Sequence, residues 1–398
     1  MLLPLLLAGV LGVWLRFAWV ARQIAALPSL ARDAAPAAPP DGGSWPRLSV
    51  VLAARDEAAS IRRAVSSLLA QDYPALEVVA VDDRSGDATG AILDELAAAH
   101  PALKVVHVDA LPDGWLGKTN ALARGAAEAT GEWLLFTDAD VLFAAGALRR
   151  AVAWAGRERL GHAVALPHFV APGLLERSFV SLFGLLLLVH LEASALRRPG
   201  SAAHVGVGAF NLVRRDTYRA IGGHTSLRLE VADDVKLGLI LRRSGVRQGC
   251  ADSGGLVRVR WQRGFVASMR GLVKNFFAGC EYRWHAALRH VVLLPLATTF
   301  PLACLVLSSD SLTRVLAAAA VAVPAALHGA TARRIAGGRG YEGVLLPIMG
   351  LCLAGVALVS AVVTTVRGAV IWRGTRYPLR ELDAACVRDA DWPRDRAI

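Results

Sequence analysis

Cysteine is scarce in this 398-residue sequence, and the few cysteines form no pattern. None of them belongs to a Cys-x-x-Cys pair, and long stretches separate them: Cys250, Cys280, Cys304, Cys352 and Cys386. This distribution argues against a disulfide framework and against a cysteine-ligated zinc site. We expect these side chains to be reduced, buried thiols.

Acidic residues are also fewer than basic ones. The chain has 33 Asp and Glu against 44 Lys and Arg, which gives a formal net charge of +11. Such an excess favours anionic partners such as phosphates or acidic lipid headgroups, and charge alone leaves nucleic acid open. The hydrophobic content of 55% is high for a purely soluble protein and excludes a disordered or fibrous chain.

Long apolar runs stand at both ends of the sequence. The first covers residues 2–15 and continues to Val20, which is enough to span a bilayer. A cleaved signal peptide is the alternative, but it would carry its positive charges before the apolar core, whereas Arg16 and Arg22 come within or after it. We therefore predict a retained membrane anchor.

Three further apolar runs cover residues 291–307, 315–327 and 344–366. The third carries no charge and is the clearest membrane segment, whereas the second is short and contains Pro324. Three spans after a cytoplasmic domain would place the basic C-terminus outside, against the positive-inside tendency, so one run could lie in the interface or form a hairpin. Residues 182–189 are apolar but short, which favours a core or interfacial helix.

Between these ends, short apolar runs alternate with helical patterns. Strands are predicted at about residues 48–54, 77–82, 104–108 and 132–137, and this alternation is typical of a mostly parallel α/β sheet. The predicted organisation is an N-terminal transmembrane anchor (1–26), a linker (27–46), an α/β domain (47–285), a C-terminal transmembrane region of two to three helices (286–368) and a basic tail (369–398).

Acidic residues follow the predicted strands, at the sheet edge where α/β proteins bind ligands. The pairs are Asp82-Asp83, Asp138 with Asp140, and Asp233-Asp234 at the start of a helix. Two carboxylates in an Asp-x-Asp arrangement suit the oxygen ligation of Mg²⁺ or Mn²⁺. Taken alone, the same pattern is more typical of a turn or a helix cap.

Two further side chains suit the chemistry of a diphosphate. Lys118 follows Gly117 at a helix start, where it could contact a diphosphate, although a solvated lysine would look the same. Asp234 could serve as a general base, although a lone Asp pair more often caps a helix. Of the histidines, His168, His204 and His224 share no metal-ligand spacing, so we expect structural or acceptor contacts from them.

The segment VVLAARDEAASIRRAVSSLLAQDYPALEVVAVDDRSGDAT (50–89) closely resembles the opening of family 2 glycosyltransferases with a GT-A fold. The resemblance continues through Gly117-Lys118, the Asp138-Ala139-Asp140 element and GVGAFNLVRRDTYRAIGGH (206–224), and it covers about residues 47–280. It implies a Rossmann-like nucleotide-diphospho-sugar transferase domain. The sequence resembles lipid-modifying members of the family, which include ceramide glucosyltransferase-like and hopanoid- or carotenoid-associated enzymes.

The resemblance also implies roles for particular residues. Asp138 and Asp140 would hold Mg²⁺ or Mn²⁺ on the donor diphosphate, and Asp234 would be the catalytic base. The expected substrate-binding residues are Arg55, Glu57 and Asp82 or Asp83 around the base and ribose, and Lys118 and Asp138 at the diphosphate, with Asp233 also in the substrate-binding set.

The sequence departs from the family pattern at two places. Asp233-Asp234 stands where Glu-Asp is usual, and residues 257–261 keep only Arg260 and Trp261 of a Gln-x-x-Arg-Trp motif. Arg260 could still contact the diphosphate, and Trp261 could stack on a sugar or lipid headgroup, with ordinary packing as its alternative. The missing glutamine weakens a polymer-synthase interpretation.

The leading hypothesis is an inverting glycosyltransferase that moves one sugar from a nucleotide-sugar to a lipid or other membrane-resident hydroxyl. It would be a multi-pass protein of the bacterial plasma membrane with a cytoplasmic catalytic domain, and residues 263–283, basic and aromatic, would suit the interface. A processive polysaccharide synthase and a catalytically silent nucleotide-sugar-binding scaffold are the alternatives. Nucleic acid is no longer an expected partner.

Overall fold

The computed structural model describes residues 2–388 apart from 33–35, 37, 40–41, 193–194, 197 and 199–200. Parts of the predicted linker and the last ten residues of the predicted basic tail thus lie outside the described residues. The chain divides into two compact units. One, the helical unit, comprises Met1–Ala26, Phe169–Ser194 and Arg260–Arg380; the other, the sheet unit, comprises Leu27–His168, Ala195–Val259 and Glu381–Ile398.

The sheet unit is built on seven strands. They are β1 (Leu48–Ala54), β2 (Leu76–Asp83), β3 (Leu103–Val108), β4 (Trp133–Asp138), β6 (His162–Leu166), β8 (Asn211–Arg214) and β9 (Gln248–Asp252), with short strands β5 (Leu142–Phe143), β7 (His168–Phe169) and β10 (Val257–Val259) outside the main sheet. Their order is β3-β2-β1-β4-β8-β6-β9. Only β8 runs against its two neighbours, so the predicted α/β fold with a mostly parallel sheet is confirmed.

Helices cover this sheet because its strands are apolar on both faces, as expected for buried parallel strands. They are α2 (Ile61–Leu69), α3 (Thr89–Ala99), α4 (Gly117–Glu128), α5 (Ala147–Arg157), α7 (Arg215–Ala220) and α8 (Asp233–Arg243), with a 3₁₀ turn at Gly223–Leu227. In one part of the core, Leu122 of α4 and Leu237 of α8 pack with Val81 and Phe136 of the sheet. This packing holds the N-terminal ends of α4 and α8, where polar residues begin, on the same side of the core.

The helical unit contains most of the remaining helices. They are α1 (Leu2–Ala25), α6 (Leu174–His190), α9 (Phe265–Gly279), α10 (Trp284–Thr298), α11 (Phe300–Leu307), α12 (Ser311–Ala336) and α13 (Leu346–Arg367). A hairpin of β11 (Ala369–Trp372) and β12 (Thr375–Pro378) follows in the sequence, and then α14 (Leu379–Ala385). The division between the units in the sequence falls after Arg380, within α14. The start of the predicted tail therefore has regular structure. Leu182 and Leu185 of α6 are buried, which supports the core-helix interpretation of that short run.

Within the described part of the chain, four helical segments are long and apolar enough to cross a membrane: Leu2–Ala25, Trp284–Leu307, Ser311–Ala336 and Tyr341–Arg367. They include all the apolar runs predicted as spans. The second C-terminal run, which looked short in the sequence, lies in the 26-residue helix α12, which continues through Pro324. Alanine, a strong helix former of modest hydropathy, extends this helix beyond the most apolar residues.

Candidate functional site

The acidic residues predicted at strand ends meet at one edge of the sheet. Register pairs Ala54 of β1 with Asp82 of β2, and Ala53 of β1 with Asp138 of β4. These three strands therefore end side by side, because parallel strands in register finish at the same edge. The C-terminal edge of β1, β2 and β4 is where the candidate site lies.

Lys118 lies between two of the acidic elements. Its Nζ is 3.0 Å from Asp138 Oδ1 and 3.3 Å from Asp233 Oδ1. Burial acts to lower the pKa of Lys118, but the carboxylates of Asp138, Asp233 and Asp234 outweigh it and hold that pKa well above its usual value. The lysine thus stays a cation and joins the end of β4 to the start of α8.

Asp234 is oriented by the backbone around it. Its Oδ2 accepts the N–H of Gly208 at 2.6 Å, and its Oδ1 accepts the N–H of Val235 at 2.9 Å. Burial raises the pKa of Asp234 and of the neighbouring Asp233, and the ammonium of Lys118 opposes both shifts. The result is a carboxylate with a defined direction and more basic character than an exposed one, as a general base requires.

Asp140 occupies a different electrostatic environment from that of an ordinary surface carboxylate. Burial, and then the carboxylates of Asp138 and Glu57, raise its pKa to about 7. A cation beside Asp138 and Asp140 would relieve this repulsion, so the donor set fits a hard divalent ion. Among the described residues no cluster of three or more His, Cys, Asp and Glu could hold a metal, so phosphate or water oxygens would have to complete the coordination.

Asp83, at the end of β2, is surrounded by arginines. Arg84 Nε donates to its Oδ1 at 2.8 Å, and Arg55 Nη1 lies 3.9 Å from its Oδ2. Gly117 at the start of α4 comes so close that a Cβ there would overlap the Asp83 carboxylate. Asp83 therefore ties the ends of β1 and β2 to the helix that carries Lys118.

Asp82, near the end of β2, and Glu57, in the loop after β1, lie beside this arrangement. Asp82 Oδ1 accepts the N–H of Ser85 at 3.3 Å, and its Oδ2 lies 3.3 Å from His107 Nδ1. The Glu57 carboxylate accepts the hydroxyl of Ser60 at 2.8 Å. Both side chains are thus held in place at the same edge of the sheet as Asp83.

Arg260 and Trp261 belong to the helical unit, unlike the other predicted site residues. Arg260 Nε lies 3.6 Å from Glu176 Oε1 of α6. Trp261 stacks on Phe183 of the same helix, with ring centroids 5.1 Å apart and an angle of 8° between the planes. The described contacts of both residues are therefore with α6.

The pocket beside Lys118 also includes Gly208 and Asn211, for which the sequence indicated no role, and His224, for which structural or acceptor contacts were expected. They line it together with the aspartates already described. Asn211 Nδ2 donates to the backbone carbonyl of Asp234 at 3.3 Å, which further fixes the start of α8. These residues all belong to the segment 206–224. The glycines near both ends of that segment are the sequence signal that could have indicated residues of the site.

His224 is held by Tyr218. The Tyr218 hydroxyl accepts the His224 backbone N–H at 3.0 Å and lies 2.8 Å from His224 Nδ1. The hydroxyl therefore contacts both the backbone and the ring of His224 and holds the imidazole in place. Burial, and then Lys118, lower the pKa of His224 to about 3, so the ring is neutral at physiological pH.

Comparison with known proteins identifies the fold. Residues 49–222 match the family Glycosyl transferase family 2. A mannosyltransferase from Pyrobaculum calidifontis, solved with GDP-Man and Mn²⁺, has a TM-score of 0.55 at 21% identity and covers 92% of this chain and 99% of its own. TarS from S. aureus, solved with UDP-GlcNAc, has a TM-score of 0.41 at 15% identity, covering 83% of this chain and 95% of its own. No curated protein sequence matches. Residues 49–222 thus form a family 2 glycosyltransferase domain, and the GT-A fold is shared.

Proposed function

We propose that this chain, which carries a family 2 glycosyltransferase domain, transfers one sugar from a nucleotide-sugar to a hydroxyl of a lipid or other membrane-resident acceptor, with inversion at the anomeric carbon. The observation that carries the proposal is the arrangement around Lys118. One ammonium contacts both Asp138 and Asp233, and the oriented carboxylate of Asp234 lines the same pocket. A site for an anionic leaving group and a base are therefore side by side.

Asp234 is the proposed general base. It takes the proton of the acceptor hydroxyl, whose oxygen forms a bond to the anomeric carbon from the face opposite the diphosphate. The bond between that carbon and the diphosphate oxygen breaks, and the electron pair leaves with the nucleoside diphosphate. Because burial raises the pKa of Asp234, its carboxylate is a stronger proton acceptor than a surface aspartate.

Asp138 and Asp140 are the proposed ligands of a divalent cation, Mg²⁺ or Mn²⁺. Such an ion would neutralise the diphosphate as negative charge develops on it. The similar mannosyltransferase was solved with GDP-Man and Mn²⁺, which makes this pair the first donor and metal to test. Lys118 is proposed to contribute a second positive charge to the same leaving group, since its ammonium already contacts Asp138.

The other predicted residues have supporting roles in this proposal. Arg55, Glu57, Asp82 and Asp83 are proposed to bind the base and ribose, because they lie where β1 and β2 end. For the motif remnant, we propose that Arg260 contacts the diphosphate and Trp261 the acceptor. The guanidinium of Arg260 suits phosphate oxygens, which it binds well. The aromatic ring of Trp261 can stack on a sugar or a lipid headgroup.

A membrane-resident acceptor is proposed because four helical segments can span a bilayer. A protein held in the membrane meets lipid hydroxyls at high local concentration. Nucleotide-sugars are water-soluble and cytoplasmic, so the proposed orientation places the sheet unit in the cytoplasm.

The proposal is tested with the full chain purified in detergent. GDP-mannose and UDP-sugars are supplied with Mn²⁺ and a total lipid extract, and mass spectrometry searches for lipids heavier by one hexose-type residue. Asp234→Asn is expected to lower turnover by about 100-fold or more, since general-base catalysis contributes about 10² to 10⁴. Asp216→Asn, an exposed change on α7, is the matched control.

Each alternative has its own outcome in this experiment. Wild-type turnover by Asp234→Asn would remove Asp234 as the base. A ladder of many sugars on one acceptor would favour a processive synthase. Donor binding without release of any nucleoside diphosphate, across all acceptors, would favour a silent nucleotide-sugar binder.

A further inference from the structure

Three residues after α14 lie against the sheet unit, to which they belong. We call residues 386–388 the C-terminal strap. The backbone N–H of Val387 donates to Glu230 Oε1, and Arg243 Nη2 donates to the carbonyl of Arg388 at 2.8 Å. Val387 also packs on the core cluster that contains Leu237 of α8. The strap is thus joined to its unit by hydrogen bonds and by apolar contact.

The two hydrogen-bond partners of the strap flank one helix. Glu230 lies three residues before Asp233, the first residue of α8, and Arg243 is the last residue of that helix. Glu230 is only 5% exposed, so the hydrogen bond to Val387 satisfies a buried carboxylate. The strap therefore contacts the segment just before α8 and the last residue of the helix.

The segment before α8 is also held by the start of α4. Leu116 N–H and Thr119 Oγ1, at the start of the helix that carries Lys118, both donate to the carbonyl of Arg228, at 2.8 and 2.6 Å. Residues 228–232 are thus fixed by α4 at one end and by the strap at Glu230. Asp233 and Asp234 follow directly.

The packing of α8 leaves little room for displacement. A Cβ at Gly238 of α8 would overlap the carbonyl oxygen of Val205, and a Cβ at Gly206 would overlap the carbonyl oxygen of Asp234. Because the backbones are in such close contact, the position of the first turn of α8 determines whether Gly208 N–H can donate to Asp234 Oδ2. A small shift of the helix would redirect the Asp234 carboxylate.

We propose that the C-terminal strap is a positioning element that fixes α8, and through it the direction of the Asp234 carboxylate, by the hydrogen bond from Val387 to Glu230. This inference rests on the proposed function, because it takes Asp234 as the base. The strap touches neither donor nor acceptor in this account. Its effect belongs to the chemical step and leaves donor binding in place.

The test compares Val387→Pro, which has no backbone N–H to donate, with Val387→Ala, which keeps it. Three experiments are carried out on the full chain: steady-state kinetics with the active donor for kcat and KM, a binding measurement of the dissociation constant of that donor, and hydrogen exchange in residues 228–236. A displacement of about 1 Å can cost a factor of about 100 in rate. We expect Val387→Pro to lower kcat about 10- to 100-fold, to change donor affinity less than about twofold, and to speed exchange in 228–236. Val387→Ala should keep kcat within about twofold.

Glu230→Met removes the acceptor of the same hydrogen bond and replaces Val387→Pro in the test if that variant does not fold. The same changes in kcat, donor affinity and hydrogen exchange are expected. Wild-type kcat and unchanged exchange in either variant would overturn the proposal. Equal losses in Val387→Pro and Val387→Ala would assign the effect to apolar packing instead, which also overturns it. If the wild-type chain transfers no sugar, the proposed function fails, while hydrogen exchange still decides whether the strap orders residues 228–236.

Discussion

Asp140→Asn is expected to stabilise the fold at neutral pH. Burial, with the carboxylates of Asp138 and Glu57, raises the pKa of Asp140 from 3.8 to about 7. An unfolded chain would ionise this group near pH 3.8, so between pH 3.8 and about 7 the folded state binds more protons than the unfolded state. The free energy of unfolding therefore falls as the pH rises through this window.

The size of the effect follows from the width of the window. Each pH unit contributes about 1.4 kcal/mol, and a window of about 3 units gives about 4 kcal/mol of lost stability above pH 7. Asparagine has the shape of the protonated acid and cannot ionise. We expect Asp140→Asn to be up to about 4 kcal/mol more stable than the wild type at pH 8 and nearly equal to it at pH 4.

Thermal unfolding in detergent, followed by tryptophan fluorescence from pH 4 to 8 with a chelator present, measures this difference. Asp113→Asn, at an exposed loop position, controls for the loss of one negative charge. Added Mn²⁺ should raise the midpoint of the wild type at pH 8 and leave Asp140→Asn unaffected. A variant that is less stable at pH 8, or whose advantage does not depend on pH, would refute the reasoning.

Two further predictions concern the surroundings of Asp234. Lys118→Met removes a charge that lowers the pKa of Asp234, so the acidic limb of the pH profile of kcat/KM should move to higher pH, and Lys118→Arg should move it less; an unmoved limb would contradict this assignment. Gly206→Ala places a Cβ against the Asp234 carbonyl and should cost about 1 to 3 kcal/mol of stability and most of the activity. Gly279→Ala, whose Cβ would meet nothing within 4 Å, is its control, and equal stability of the two variants would refute the prediction.

Much of the fold could be predicted from the sequence because its signals are local. The runs that became β1 to β4 are apolar over about the length of a strand, and the helices between them have helical periodicity. The antiparallel strand β8 was not predicted. Its four residues, Asn211–Arg214, are too few to show a period, and only the neighbours β4 and β6 define it as a strand.

The candidate site also has features that could be predicted from the sequence and features that could not. That Asp82 and Asp138 would lie at one sheet edge could be expected, since parallel strands end together. Asp234 begins a helix, so this rule does not place it. Their roles stay predictions. The link from Lys118 to Asp233 joins positions more than 100 residues apart, and no local pattern encodes it. The hydrogen bond between His224 and Tyr218 depends on how a turn folds back on α7.

The class of this protein could be established from the amino-acid sequence: an α/β domain with acidic strand ends, between an apolar N-terminal helix and apolar C-terminal helices. Strand length, helical period and hydropathy depend on neighbouring residues, so they can be read along the chain. Which carboxylates share a counter-ion, why burial raises the pKa of Asp140 to about 7, and that Val387 donates to Glu230 just before the helix of Asp234 follow only from the folded chain. Those properties depend on burial and on distances between remote residues, which exist only once the chain has folded.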